Sequence, residues 1–237
     1  MPELPALRRV GHKGADHIAP GNTAASFDAA LAAGVDMIEF DVLPEDLERP
    51  AESRLLLAHD YSHDLAHALT LEQGLAHLAA PEFAGLELDV DLKVPGYEDR
   101  VVQALRDRGL VERALVSTTF MRSLVAVRAI EPRLRLGWSV PRARQDYTRS
   151  WLYRIPAYAA IGRIKRRLPD AAREHLEAGR CDALMVHWRL VTERLVEVVR
   201  AAGGELYVWT VDDAARIRRL EAMGVTGVIT NDPRLFA

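Results

Sequence analysis

A single cysteine, Cys181, in a chain of 237 residues excludes an internal disulfide and fits a reducing compartment. No apolar run approaches the roughly 18 residues that a spanning helix requires. The first residues, Met1-Pro2-Glu3-Leu4-Pro5, lack a basic segment followed by an apolar one. No signal peptide is therefore expected, and a cytoplasmic location is the expectation. Charge of one sign is not in excess either. The formal net charge of −3 gives no reason to expect a nucleic-acid partner. Close repeats and low-complexity tracts are missing, which argues against a solenoid. What is present is an ordinary globular composition, 49% apolar and 27% charged. The length suits one (β/α) barrel, which typically takes about 250 residues, and a single domain over 1–237 is expected.

The most informative stretch is Met37–Val42. Ile38, Phe40 and Val42 alternate with Glu39 and Asp41, so a strand would send the apolar residues to one face and both acids to the other. Leu86–Lys93 repeats the pattern, with Glu87, Asp89, Asp91 and Lys93 on the polar face. Apolar runs near residues 9, 39, 89, 116, 138, 185, 208 and 228 give eight strands with helical patterns between them. Such alternation predicts a parallel sheet, and eight units at this length predict a closed (β/α)8 TIM barrel. Leu55–Ala58 follows the second strand too closely for a helix to intervene and reads as a small side hairpin. Asn22 or Thr23 is expected to cap the helix Ala24–Ala33. A helix is expected over Asp170–Ala178, after a stretch, Pro141–Pro169, that breaks the rhythm.

In such a barrel, chemistry gathers at the C-terminal ends of the strands. His12, Lys13, Glu39, Asp41, Asp91, Lys93, Thr118, His187, Trp209 and Asn231 fall there. Carboxylates suit a hard cation such as Mg²⁺ or Ca²⁺. Lysines offer point charges to phosphate, and histidines exchange protons near neutral pH. The residues alone point to metal-assisted phosphoryl chemistry. Glu39 and Asp41 could instead pair with the lysines as an internal ion network. Glu87 and Asp89, lower on their strand, read as structural, and Cys181 as an inert small residue.

The motifs Gly11-His12-Lys13-Gly14, Ala19-Pro20-Gly21-Asn22-Thr23, Ile38-Glu39-Phe40-Asp41-Val42 and His59-Asp60 resemble, in order and spacing, the signature of the glycerophosphodiester phosphodiesterase family. Asp91-Leu92-Lys93, Val208-Trp209-Thr210-Val211-Asp212 and Gly227–Pro233 resemble its later segments. The resemblance implies hydrolysis of glycerophosphodiesters to glycerol 3-phosphate and an alcohol. It also implies His12 and His59 as general acid and base, and Glu39, Asp41 and Asp91 as ligands of a divalent cation, Mg²⁺ or Ca²⁺. Lys13 and Lys93 would hold phosphate, and Trp209 would line the substrate pocket. Phospholipase D-like activity on lysophospholipids, or a barrel that only binds phosphodiesters, are the alternatives.

Three positions depart from the family pattern. Gly21 stands where the family has glutamate, and Asp16 on the same loop is the candidate replacement. Lys13 stands for arginine, which exchanges a bidentate fork for a point charge. Asp91 stands for glutamate. The basic, aromatic stretch Trp151–Arg167 is expected to contact an anionic membrane surface, to cover the site, or simply to pack on the barrel.

Overall fold

The computed structural model describes residues 6–62, 65–141 and 154–237, the last stretch with side chains from residue 161 onward. Its strands are β1 (Arg8–Gly11), β2 (Met37–Pro44), β3 (Leu55–Leu56), β4 (Glu87–Leu92), β5 (Ala114–Thr118), β6 (Arg135–Val140), β7 (Ala183–His187), β8 (Glu205–Trp209) and β9 (Gly227–Thr230). The helices are α1 (Ala24–Ala32), α2 (Leu71–Leu78), α3 (Glu98–Arg106), α4 (Met121–Ile130), α5 (Arg154–Glu177), α6 (Glu193–Ala201) and α7 (Ala214–Met223). All strands except β3 run parallel in the order β1-β9-β8-β7-β6-β5-β4-β2, and β2 pairs back to β1, which closes the barrel. β3 pairs antiparallel with the end of β2, as the side-hairpin reading anticipates.

Alternation along the strands sorts the side chains into two compartments. Ile38, Phe40, Val42, Leu88, Val90 and Leu92 point outward and are buried with helix residues such as Phe27, Leu75 and Leu105. The inward residues form layers. At the bottom, Arg8 and Arg135 donate to Glu87 at 2.7 and 2.6 Å, and Arg135 contacts Glu205 at 3.3 Å. Above this ionic floor, Val10, Met37, Leu115, Ala183, Met185, Tyr207 and Ile229 fill the lumen. Gly137 belongs to this packing, because a Cβ there would sit 2.9 Å from Leu115 and 3.0 Å from Met185. The floor and the apolar plug leave only the upper lumen open to polar chemistry.

One boundary differs from the sequence reading. α5 begins at Arg154 and passes through Pro169, rather than starting at Asp170. Proline removes one helical hydrogen bond and crowds the preceding turn. Here Leu168, Ala172 and Leu176 are buried on one helical face, with Ile161 and Ile164 packed against the same core. Tertiary burial of that stripe outweighs the local breaker. The first part of the basic aromatic stretch, including Trp151, lies outside the described residues.

Candidate active site

Registers between β2 and β4 bring the acids together. Glu39 lies beside Asp89, and Asp41 beside Asp91. Glu39, Asp41 and Asp91 each offer one carboxylate oxygen, and these three atoms lie within 4.8 Å of one another. The Lys93 ammonium sits between Asp41 Oδ1 and Asp91 Oδ2, at 2.5 Å from the latter. The other oxygen of Asp41 accepts from Asn22 Nδ2 at 2.9 Å, while Asp41 N donates to Asn22 Oδ1 at 3.0 Å. Asn22 adopts φ 60°, which directs its amide back at the strand. Thr23 rather than Asn22 caps α1, accepting from Ser26 N.

The loop after β1 carries the next contacts. Lys13 also adopts a left-handed backbone, φ 51°. That turn aims its N–H at Glu39 Oε2, 2.8 Å away. The Lys13 ammonium lies 3.3 Å from Asp16 Oδ2, and Asp16 Oδ1 accepts from Gly21 N at 2.8 Å. A Cβ at Gly21 would fall 2.6 Å from Asp16 Oδ1 and 2.8 Å from Lys13 Cβ. Asp16 thus fills the space that a side chain at position 21 would need. It clasps Lys13 and is not part of the acid trio.

The site's electrostatics follow from burial. Glu39 is 5% exposed and Asp41 fully buried. Burial, then the nearby Asp41 charge, pushes Glu39 well above the usual carboxylate range. Burial opposes the Asp41 charge as well, but Lys93, His59 and His12 outweigh it and hold the carboxyl well below that range. Lys93 is raised because Asp41, Asp91 and Glu39 overcome its own desolvation. Fully ionised, three carboxylates against one ammonium leave a surplus of negative charge that a divalent cation would offset. The hard oxygen donors, their burial and the unmet charge on Glu39 all fit such an ion.

His12 leaves the end of β1 with Nε2 3.9 Å from Glu39 Oε2 and Nδ1 2.6 Å from Asn231 Oδ1. Burial shifts it below the ordinary histidine value, so the imidazole is neutral at neutral pH. His59 lies past the hairpin, half-exposed, with Nδ1 3.1 Å from Asp60. Trp209 and His187 close another side of the rim, ring edge to ring face at 5.2 Å.

One residue corrects the reading from sequence. Glu87 belongs to the ionic floor as anticipated, but Asp89 does not. Asp89 is 1% exposed and its Oδ1 has no hydrogen-bond partner. Burial, then the Asp91 charge, pushes its carboxyl up to about 8. It sits one alternation below Asp91, within the electrostatic reach of the acid cluster. The signal was present: Asp89 shares a face with Asp91 at spacing two. The clamp from Asn22 had no such signal, because it depends on how the loop folds back.

The profile of the glycerophosphoryl diester phosphodiesterase family matches residues 12–44 and 60–235. A glycerophosphodiester phosphodiesterase of Caldanaerobacter subterraneus subsp. tengcongensis is 25% identical over 94% of this chain and 93% of its own. One from Arabidopsis thaliana is 27% identical over 95% of this chain and 70% of its own. The barrel also matches an Oleispira antarctica phosphodiesterase solved with the product sn-glycerol-3-phosphate. Its TM-score is 0.69 at 21% identity, covering 98% of this chain and 94% of that one.

Proposed function

The chain belongs to the glycerophosphoryl diester phosphodiesterase family, and from that premise we propose that it hydrolyses glycerophosphodiesters to glycerol 3-phosphate and an alcohol. One observation carries the reading. Three carboxylates, a lysine and a neutral histidine converge on one rim above a sealed lumen. A divalent cation held by Glu39, Asp41 and Asp91 would supply positive charge to the phosphoryl oxygens as negative charge builds there.

The chain's own residues do the rest. His12 has an unprotonated ring nitrogen on the Glu39 side and takes the proton of the attacking oxygen, whether water or a neighbouring glycerol hydroxyl. His59, oriented by Asp60, returns a proton to the leaving oxygen. Lys93 and Lys13 add point charges to the phosphate, the second released from Asp16 as substrate enters. Trp209 forms an apolar wall. The test is release of glycerol 3-phosphate from glycerophosphocholine with Mg²⁺, Ca²⁺ or EDTA. Turnover with a cation and none with EDTA supports the reading, whereas no turnover on any glycerophosphodiester with any cation overturns it.

A second feature favours action at, or contact with, an anionic lipid surface. A groove of about 1020 Å³ between α5, α6 and α7 is lined by Lys165, Arg194, Arg216 and Arg219 alongside Trp188 and Ile161. Arg216 stacks over the Trp188 ring at 3.9 Å. Trp188 directly follows β7, so the groove starts at the same rim as the acids. One lysine and four arginines against Glu193 and Asp213 leave the lining net basic, and beside Trp188 and Ile161 that suits the head-group region of a bilayer. No helix among the described residues is long and apolar enough to cross a membrane. Co-sedimentation with phosphatidylglycerol vesicles but not phosphatidylcholine vesicles is expected, and loss of it in Arg216→Glu/Arg219→Glu. Equal recovery with both lipids would rule this reading out.

A further inference from the structure

We infer that Asp212 is a positioning residue that fixes the tautomer of His12 through Asn231. The inference rests on the reading of His12 as the proton acceptor. Asp212 follows β8 and Asn231 follows β9, so the chain of contacts crosses two strand ends. Asn231 Nδ2 donates to Asp212 Oδ2 at 2.7 Å, and Asn231 N donates to Asp212 Oδ1 at 2.8 Å. The Thr230 hydroxyl donates to the same Oδ1 at 3.0 Å. Asn231 Oδ1 then faces His12 Nδ1 at 2.6 Å. His12 N is also tied to this strand end, donating to Thr230 O at 2.8 Å.

The direction of each bond follows from what the groups can do. An amide oxygen and nitrogen look alike in shape, so orientation must come from partners. An ionised carboxylate only accepts. Turning the Asn231 amide would set its oxygen against Asp212 Oδ2, acceptor against acceptor. Asp212 therefore holds the NH₂ toward itself and presents Oδ1 to the ring. That oxygen can only accept, so His12 Nδ1 carries the hydrogen. In a neutral imidazole the other nitrogen is then unprotonated. Nε2 is the nitrogen that lies on the Glu39 side of the site. The carboxylate, three residues beyond the end of β8, decides which ring nitrogen is free to take a proton.

The carboxylate is solvent-exposed, so its hold is moderate. Loss of a charge-assisted hydrogen bond of this kind predicts a fall in kcat of roughly tenfold. The experiment is ¹H–¹⁵N long-range correlation NMR of the ring nitrogens, with His12 assigned by His12→Gln. It is run on the full chain and on Asp212→Ala and Asp212→Asn, with kcat and KM on glycerophosphocholine. Wild type should show His12 protonated at Nδ1. Asp212→Ala should shift it toward the Nε2–H form, with kcat reduced roughly tenfold and KM changed less than threefold. Asp212→Asn keeps one oxygen, which the Asn231 N–H claims, so its NH₂ faces the Asn231 side chain, turns that amide and should also shift His12 toward the Nε2–H form, with kcat reduced. Wild type protonated at Nε2 would overturn the inference. So would a tautomer unchanged in Asp212→Ala, whatever happens to kcat. A wild-type chain that cleaves no diester yet changes tautomer in Asp212→Ala would overturn the hydrolase reading and keep this one.

Discussion

Replacing Asp89 with asparagine should stabilise the protein, and by an amount that grows with pH. The side chain is 1% exposed, and Oδ1 has no partner. Burial and the Asp91 charge lift its carboxyl from the ordinary 3.8 to about 8. Between those values the folded chain binds a proton that the unfolded chain has lost. Stability from this group is fully present below about pH 4 and drains away as pH rises toward 8. Each pH unit is worth about 1.4 kcal/mol, so the whole interval amounts to roughly 6 kcal/mol, most of it lost by pH 8. Asparagine has nearly the shape of the neutral acid and does not titrate. Its advantage over wild type should therefore be about 1–2 kcal/mol at pH 5 and roughly 5 kcal/mol at pH 8. Urea denaturation at both pH values, with EDTA present so that only the chain's own charges act, measures the gap. An advantage that is the same at pH 5 and pH 8, or larger at pH 5, would refute the assignment of Asp89 as a neutral buried acid.

Other perturbations probe separate parts of the account. Asn22→Ala removes both hydrogen bonds between Asn22 and Asp41, and should weaken cation binding roughly 10–100-fold by calorimetry. Gly21→Ala drives a methyl into Asp16 and Lys13; the expected cost is about 1–3 kcal/mol in thermal denaturation. Glu87→Ala leaves Arg8 and Arg135 to share the Glu205 carboxylate across the barrel floor. It should cost roughly 1–3 kcal/mol of stability and leave kcat unchanged, because the floor lies beneath the apolar plug.

The barrel was legible because its signals are local and repeated. Alternation in Met37–Val42 and Glu87–Leu92, eight apolar runs and the helices between them all follow the short-range periods that burial imposes. The acid trio was legible for the same reason, since spacing two puts Glu39 and Asp41 on one face and register brings Asp91 beside them. What the sequence concealed depends on long-range closure. Asn22 looks like a helix cap until the loop folds it onto Asp41. Asp16 and Gly21 become a pair only through the turn at Lys13. The path of α5 through Pro169 reflects a buried stripe that outweighs a local breaker. Asp212 and Asn231 are 19 residues apart and meet only because β8 and β9 end side by side.

The central claim is that this rim cleaves a glycerophosphodiester on the alcohol side, with His12 moving the proton. ³¹P NMR of glycerophosphocholine incubated with the cation-loaded protein tests it most directly. The diester signal should give way to glycerol 3-phosphate, and His12→Ala should leave the diester intact. Appearance of phosphocholine instead, or a His12→Ala protein as active as wild type, would contradict it.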